Sequence, residues 1–387
     1  MSTIFELISQ FKAIADDPKK AMDDFKQETG KGAVGIMPVY CPEEIVHATG
    51  YLPIGMWGAQ AKKISKARAL LPPFACSIMQ SVMELQLDGA YDDLDAVIFS
   101  VPCDTLKCMS QKWKGKAPEI VFTHPQNRKN AQSAANVFAR AEFAHVKEEL
   151  EDILGVKITN KALKNSIAVY NENRAACREF CDLVAANPGL IKLRDRHAVL
   201  KARWFMEKSK HTAMLKELNE LIKAADKAPF NGKKVVVSGI TLEPYEVLDI
   251  FEEFGFAIVA DDLAQESRNF RQDVGDDADP LMALAKAWNE FDGCSLATDA
   301  DKPKGQMLID AVKKYDADAV VICMMKFCDP EEFDVPILLL QFEEAGVKNI
   351  QIEIDQAAPP SSRSGPGSRH SPRFFDPYIR VRIYERI

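Results

Sequence analysis

The chain has 387 residues, a formal net charge of -8, and 47% hydrophobic against 27% charged residues. That length predicts two or three domains, and the composition is that of a globular protein with apolar material for more than one core. The acidic balance argues against nucleic acid as the main partner, because a phosphate backbone selects a basic face. No apolar run approaches the roughly 18 residues of a membrane span, so no membrane partner is expected. Residues 1–12 carry apolar positions at helical spacing and lack the layout of a secretory signal, which predicts a cytoplasmic protein.

In chain order, Met1 to about Glu28 reads as a helical lead-in. Lys31–Met37 is a short apolar run bounded by glycine, hence a strand. Pro42–Thr49 is helical, with Glu43 and Glu44 in its first turn and Gly50 where a helix C-cap belongs. Strands follow at Leu52–Trp57, Asp95–Ser100 and Glu119–Thr123, with a short helix over Asp104–Trp113. Such alternation marks a parallel sheet. Ala134–Leu154, Asn160–Asn187 and Leu193–Ala225 carry apolar residues at i, i+3, i+4 and predict a helical block. From Lys233 the alternation restarts: strands at Lys234–Ile240, Phe256–Ala260, Ala317–Met324 and Ile350–Ile354, helices at Glu243–Glu253 and Pro330–Ala345. The expected architecture is α/β. Two doubly wound, flavodoxin-like domains (residues 1–130, with the helical lead-in, and 231–356) are joined by a helical connector or cap (131–230). Residues 357–387 begin with a Pro/Ser/Gly/Arg-rich stretch that cannot build a core and is expected to be a disordered tail, with a stray strand within 374–387.

Nine cysteines in a reducing compartment are not expected to pair as disulfides, and the ordinary fate of each is burial as a small core residue. Two stand out. Val101-Pro102-Cys103-Asp104 directly follows the strand ending at Ser100, and Lys326-Phe327-Cys328-Asp329-Pro330 directly follows the strand 320–324. Both Cys-Asp pairs fall just past the carboxyl end of a buried strand, where open parallel sheets bind ligands. The helix that starts after each favours thiolate, the metal-binding form. Cys76 follows the loop Leu71-Pro72-Pro73-Phe74-Ala75 and sits near a third helix start. Cys108 and Cys323 stand five residues from Cys103 and Cys328, a spacing that points thiols apart on a helix; Cys323 reads as core. Cys177 and Cys181 share a helix face, Cys41 is a reserve ligand, and Cys294 has no partner pattern. Zinc prefers tight C-x2–4-C pairs, whereas iron–sulfur clusters accept scattered thiolates that the fold gathers. His47 and His124 read as structural. Asp261–Arg268 follows a strand end: a solvated loop, or a site wall offering Arg268 to an anionic group. Trp113 and Lys114 read as surface structure.

At these residues the sequence resembles the 2-hydroxyacyl-CoA dehydratases, relatives of benzoyl-CoA reductase. The matching stretches are GAVGIMPVYCPEEIVHATGYLPIGMWG, FACSIMQ, VPCDTLKCMSQKWKG, HPQNR, KKVVVSGI, ADDLAQESR, GCSLA and MMKFCDPEEFD, spread from Gly32 to about Asp355. The resemblance is closest to the β subunits of lactoyl-CoA and 2-hydroxyglutaryl-CoA dehydratases. It implies a heterodimer with an α subunit, a [4Fe–4S] cluster in each subunit, and, in some members, flavin mononucleotide. It implies a separate ATP-hydrolysing iron–sulfur activator that injects one electron. The acyl-CoA substrate then loses its 2-hydroxyl group through a ketyl radical to give the 2-enoyl-CoA. It assigns the cluster ligands to Cys76, Cys103 and Cys328. Substrate is implied at the α cluster, with the β cluster in a supporting or relay role. A competing reading is a non-catalytic electron-relay or scaffold subunit; another is an α/β redox domain without a cluster. The family continues past the last strand with a polar helix bearing Thr-Arg, and here Gln356 is followed by the Pro/Ser/Arg stretch instead.

Overall fold

The computed structural model describes residues 3–37, 40–58, 63–125, 128–297, 299–356 and 379–382. The elements run α1 (Ile4–Asp16), α2 (Pro18–Thr29), β1 (Ala33–Ile36), α3 (Glu43–His47), β2 (Leu52–Gly55), α4 (Ser77–Leu87), β3 (Ala96–Ser100), α5 (Asp104–Ser110) and β4 (Glu119–Phe122). Four helices follow: α6 (Gln132–Leu154), α7 (Asn160–Ala186), α8 (Leu193–Ala202) and α9 (Lys208–Ala224). The rest comprises β5 (Lys233–Gly239), α10 (Glu246–Glu253), β6 (Phe256–Leu263), α11 (Ser267–Phe270), α12 (Pro280–Asn289), α13 (Lys304–Tyr315), β7 (Ala319–Met325), α14 (Asp329–Ala345), β8 (Asn349–Ile354) and β9 (Ile379–Arg382).

The first sheet has the order β2-β1-β3-β4, all parallel. The second has β6-β5-β7-β8-β9, parallel except for β9, which pairs antiparallel to β8. The two sheets share one order over their first four strands: second, first, third, fourth. In each, the chain reverses its direction of winding between the first and third strands, which places a topological switch point there. β1, β2 and β3 are buried along their whole length, as expected of strands covered on both faces. The strand expected within the tail is seen as β9; residues 357–378 and 383–387 lie outside the described residues.

Leu193–Ala225, expected as one helix, divides at Arg203–Glu207 into α8 and α9. Packing ends the first helix. Trp204 turns inward, its ring 5.2 Å from that of Trp57, and its Nε1–H donates to the Gln265 carbonyl at 2.9 Å. Glu207 then starts α9 by accepting the Lys210 N–H at 2.9 Å. The helical lead-in is likewise two helices, because Asp17 caps α2 and Pro18 opens it.

One large apolar core takes in residues of both sheets, from Val34 and Phe99 to Val237 and Met325. A second joins α1 to α7, α8 and α9, through Phe11, Phe180, Val199 and Leu218 among others. The two sheets are also tied end to end by Ser77. Its Oγ accepts the Gln356 N–H at 3.0 Å and donates to Met325 Sδ at 3.1 Å.

Candidate metal centre

Cys76, Cys103 and Cys328 occupy the same local position: each is the N-cap residue of a helix, α4, α5 and α14 respectively. The sequence explains why. Pro72 and Pro73 form a tight turn before α4, closed by the Ala75 N–H donating to the Pro72 carbonyl at 3.0 Å. Val101-Pro102 leads straight from β3 into Cys103. Pro330 at the start of α14 suits a first turn, whose N–H would have no helical partner anyway. At an N-cap the first amides of the helix point back at the side chain. The N–H groups of Ile78 and Met79 face the Cys76 sulfur, those of Thr105 and Leu106 face Cys103, and that of Glu331 faces Cys328. These are the groups that stabilise thiolate against the cost of burial.

All three thiols line one open cleft of about 900 Å³ with Asp104, Asp329 and His124. Cys103 and Cys328 enter it past the carboxyl ends of β3 and β7, the third strands of the two sheets, beside the two switch points. Burial raises all three thiol pKa values: Cys76 to about 12, Cys103 in the same direction, and Cys328 well above the ordinary value. Each of the other two thiols adds to the rise at Cys328, so the three stand within electrostatic reach of one another. Buried thiols crowded together stay protonated until a metal replaces their protons.

Three thiols are a donor set that an iron–sulfur cluster accepts. Among the described residues, no three His, Cys, Asp or Glu side chains converge closely enough to hold one metal ion. A single zinc would need its sulfurs within about 2.3 Å of one point. Thiolates on an iron–sulfur cluster each take a different iron and stand further apart. The cleft brings together three thiols, the ligand type that such clusters take.

The remaining cysteines fall elsewhere. Cys108 is exposed on α5; Cys323 is buried in the core, and Cys177 is buried with its sulfur 3.9 Å from Asn173 Oδ1. Cys181 lies 3.8 Å from Arg196 Nη2. Cys41 hydrogen-bonds the Met37 carbonyl at 3.1 Å. Cys294 is buried, with its sulfur 3.1 Å from the Tyr40 hydroxyl and 3.9 Å from Arg268 Nη1.

Three sequence expectations are corrected. Arg268 is not available to an anionic ligand. It is fully buried, donating to both carboxylate oxygens of Asp262 at 2.9 Å and to Glu331 Oε1 at 2.9 Å. Asp261–Arg268 is accordingly no solvated loop, because Asp261 and Glu266 are both paired to the buried Arg196 at 2.5 Å. Trp113 is not surface structure: it is 5% exposed and packs edge-on to Phe99 at 5.3 Å. His124 was not singled out for the site, yet it lines the thiol cleft. The signal for it was available, since it lies two residues past the carboxyl end of β4.

The family described as 2-hydroxyglutaryl-CoA dehydratase, D-component, matches residues 38–364. Over 357 residues the chain is 63% identical to the lactoyl-CoA dehydratase subunit beta of Anaerotignum propionicum, covering 92% of this chain and 95% of that one. It is 38% identical to the (R)-phenyllactyl-CoA dehydratase beta subunit of Clostridium sporogenes, over 92% and 95% of the two chains. It is 39% identical to the (R)-2-hydroxyglutaryl-CoA dehydratase subunit beta of Acidaminococcus fermentans, over 91% and 94%. A match of this length, spanning both sheets and all three cleft cysteines, shows that the chain belongs to the 2-hydroxyglutaryl-CoA dehydratase D-component family.

Proposed function

We propose that this chain is the β subunit of an (R)-2-hydroxyacyl-CoA dehydratase and that Cys76, Cys103 and Cys328 hold a [4Fe–4S] cluster. The enzyme removes water from a 2-hydroxyacyl-CoA through a ketyl radical and yields the 2-enoyl-CoA. Lactoyl-CoA is the favoured substrate and 2-hydroxyglutaryl-CoA the runner-up, in the order of identity to the relatives so named. The observation that carries the reading is the convergence of three helix-capping thiols in one cleft.

When bound, the cluster supplies one-electron chemistry. The chain's own residues do the rest. The three cysteines give up their protons to bind, and the amides of α4, α5 and α14 stabilise the resulting charge. The apolar side chains of Val121 and Phe333 form part of the rim; Phe333 is 81% exposed. A large exposed aromatic residue beside a metal cleft favours a partner that covers it, here an α subunit. A separate ATP-hydrolysing iron–sulfur activator delivers the electron.

Iron and sulfide analysis of the anaerobically purified chain tests the cluster. About four irons per chain are expected, and fewer than about two would sink the assignment. Cys76→Ala, Cys103→Ala and Cys328→Ala should each lose iron, while Cys177→Ala and Cys181→Ala keep it; equal loss in all five would overturn the ligand set. Dehydration should need the α subunit and the activator. Turnover by this chain alone would contradict the subunit reading.

A further inference from the structure

We infer that His124 donates a ring N–H hydrogen bond to the sulfur of the group held by the three thiols, and so sets its reduction potential. The inference rests on the cluster reading above. His124 is 6% exposed and lines the cleft shared by Cys76, Cys103 and Cys328. Neither of its ring nitrogens finds a hydrogen-bond partner among the described residues.

The other buried histidines behave differently. His197 lies between Glu266 at 2.7 Å and Glu243 at 3.4 Å. His211 lies between Asn173 at 2.9 Å and the Val199 carbonyl at 3.1 Å. A buried, unpartnered polar group costs about 1–3 kcal/mol and is rare in native folds, so an orphaned imidazole facing a ligand cleft points to a missing partner. The ring is neutral, because burial and then the neighbouring Arg128 lower its pKa to about 3. A neutral imidazole keeps one N–H to donate.

The surroundings favour donation over iron ligation. A metal-bound histidine is normally oriented by a hydrogen bond from its other nitrogen to a carboxylate or carbonyl. Among the described residues His124 makes no such bond. It is oriented by rings: Trp288 at 4.1 Å with an interplanar angle of 32°, and Phe122 edge-on at 5.0 Å. A ring fixed by stacking is held in place without committing either nitrogen. Donation to a cluster sulfur stabilises the reduced, more negative state and raises the potential.

The test is the midpoint potential of the anaerobic, iron-loaded chain and two variants. His124→Phe keeps the aromatic stack and removes the N–H; His124→Gln keeps an N–H donor. The phenylalanine variant should retain iron and shift to a more negative potential, and the glutamine variant should recover at least half of that shift. In reduced chain labelled with 15N-histidine, pulsed EPR should show a weak nitrogen coupling that His124→Phe abolishes. An unchanged potential in His124→Phe, equal shifts in both variants, loss of iron from both, or a coupling as strong as that of a ligating nitrogen would each overturn the inference. Iron absent from the wild-type chain would instead sink the cluster reading itself, which keeps the two failures apart.

Discussion

Replacing Glu331 by Gln tests how the second domain holds Cys328 in place. Glu331 lies in the first turn of α14, three residues after Cys328, and is 3% exposed. It accepts from Arg268 Nη1 at 2.9 Å and from Lys304 Nζ at 3.2 Å. Arg268 is also bound to Asp262, so two buried cations face two buried carboxylates; the less buried Arg271 adds a third cation on Asp262 at 2.7 Å. Glutamine keeps the shape and removes one negative charge. Arg268 and Lys304 must then share Asp262, from which Lys304 stands 3.7 Å away. Removing one member of a buried ion pair costs about 3–5 kcal/mol, because the survivor stays desolvated. At about 2–4 °C per kcal/mol, the melting temperature of the iron-free chain should fall by about 6–20 °C. The sign of the pH dependence follows from the pairing. Burial alone would raise the Glu331 pKa, but Arg268 and Lys304 outweigh it and hold the carboxyl below its ordinary value. A depressed carboxyl contributes stability that is present above the unfolded value of about 4.3 and is lost as pH falls below it. The gap between wild type and Glu331→Gln should therefore narrow toward the lowest pH at which the chain stays folded. The measurement is a thermal melt at pH 7 repeated at stepwise lower pH. A fall of under about 2 °C at pH 7, or a gap that does not narrow, would refute the argument.

Other outcomes follow from single contacts. In Gly239→Ala the new methyl carbon would stand 2.3 Å from the Cys323 carbonyl oxygen, a backbone atom of the neighbouring strand, so β5 and β7 must part. Expression should give insoluble chain or a melt at least about 1–3 kcal/mol weaker; a wild-type melt would show that β5 and β7 yield to the extra methyl without cost. Ser77→Ala removes the hydroxyl that accepts from the Gln356 N–H, and should cost about 1–3 kcal/mol in a denaturant titration; no change would mean that water replaces it. Phe333→Lys changes an exposed ring at the cleft rim and should leave the chain's own melt intact while weakening co-purification with an α subunit. Undiminished co-purification would place the partner on another face.

Much of the plan was legible because parallel strands buried on both faces are continuous apolar runs. DAVIFS and ADAVVICM announce β3 and β7 without ambiguity. Helix starts were legible from proline and acidic residues, and that sufficed to aim Cys103 and Cys328. Cys76 follows a loop and has no strand directly before it, so local pattern points to it less than to the other two, and the family resemblance is what assigns it. What stayed hidden depends on residues far apart in sequence. Nothing near Arg268 shows that Glu331, 63 positions on, will neutralise it. The aromatic residues that bury Trp113 and the break between α8 and α9 are set by tertiary packing, which overrides local periodicity. His124 looks structural in sequence because its stacking partner, Trp288, lies far along the chain.

The two domains repeat one strand order but do not contribute equally, and the reason is visible in what fills each crevice. Both place a thiol past the third strand. The first domain adds Cys76, from the connection between its second and third strands. The connection between β6 and β7 also carries a cysteine, Cys294, but it is turned into the core against Tyr40 and Arg268. The second domain has spent the space beneath its crevice on the Asp262, Arg268, Glu331 and Lys304 ion pairs, which anchor the start of α14. Among the described residues, Cys76, Cys103 and Cys328 are the cysteines that line the cleft, and Cys294 does not. On the proposed cluster reading, three thiols from two domains would leave one iron of four without a cysteine. On this argument Cys294→Ala leaves iron content unchanged, whereas loosening the ion pairs through Glu331→Gln lowers it by freeing Cys328. The opposite pattern would mean that Cys294 swings into the cleft and that the buried charges do not hold the site.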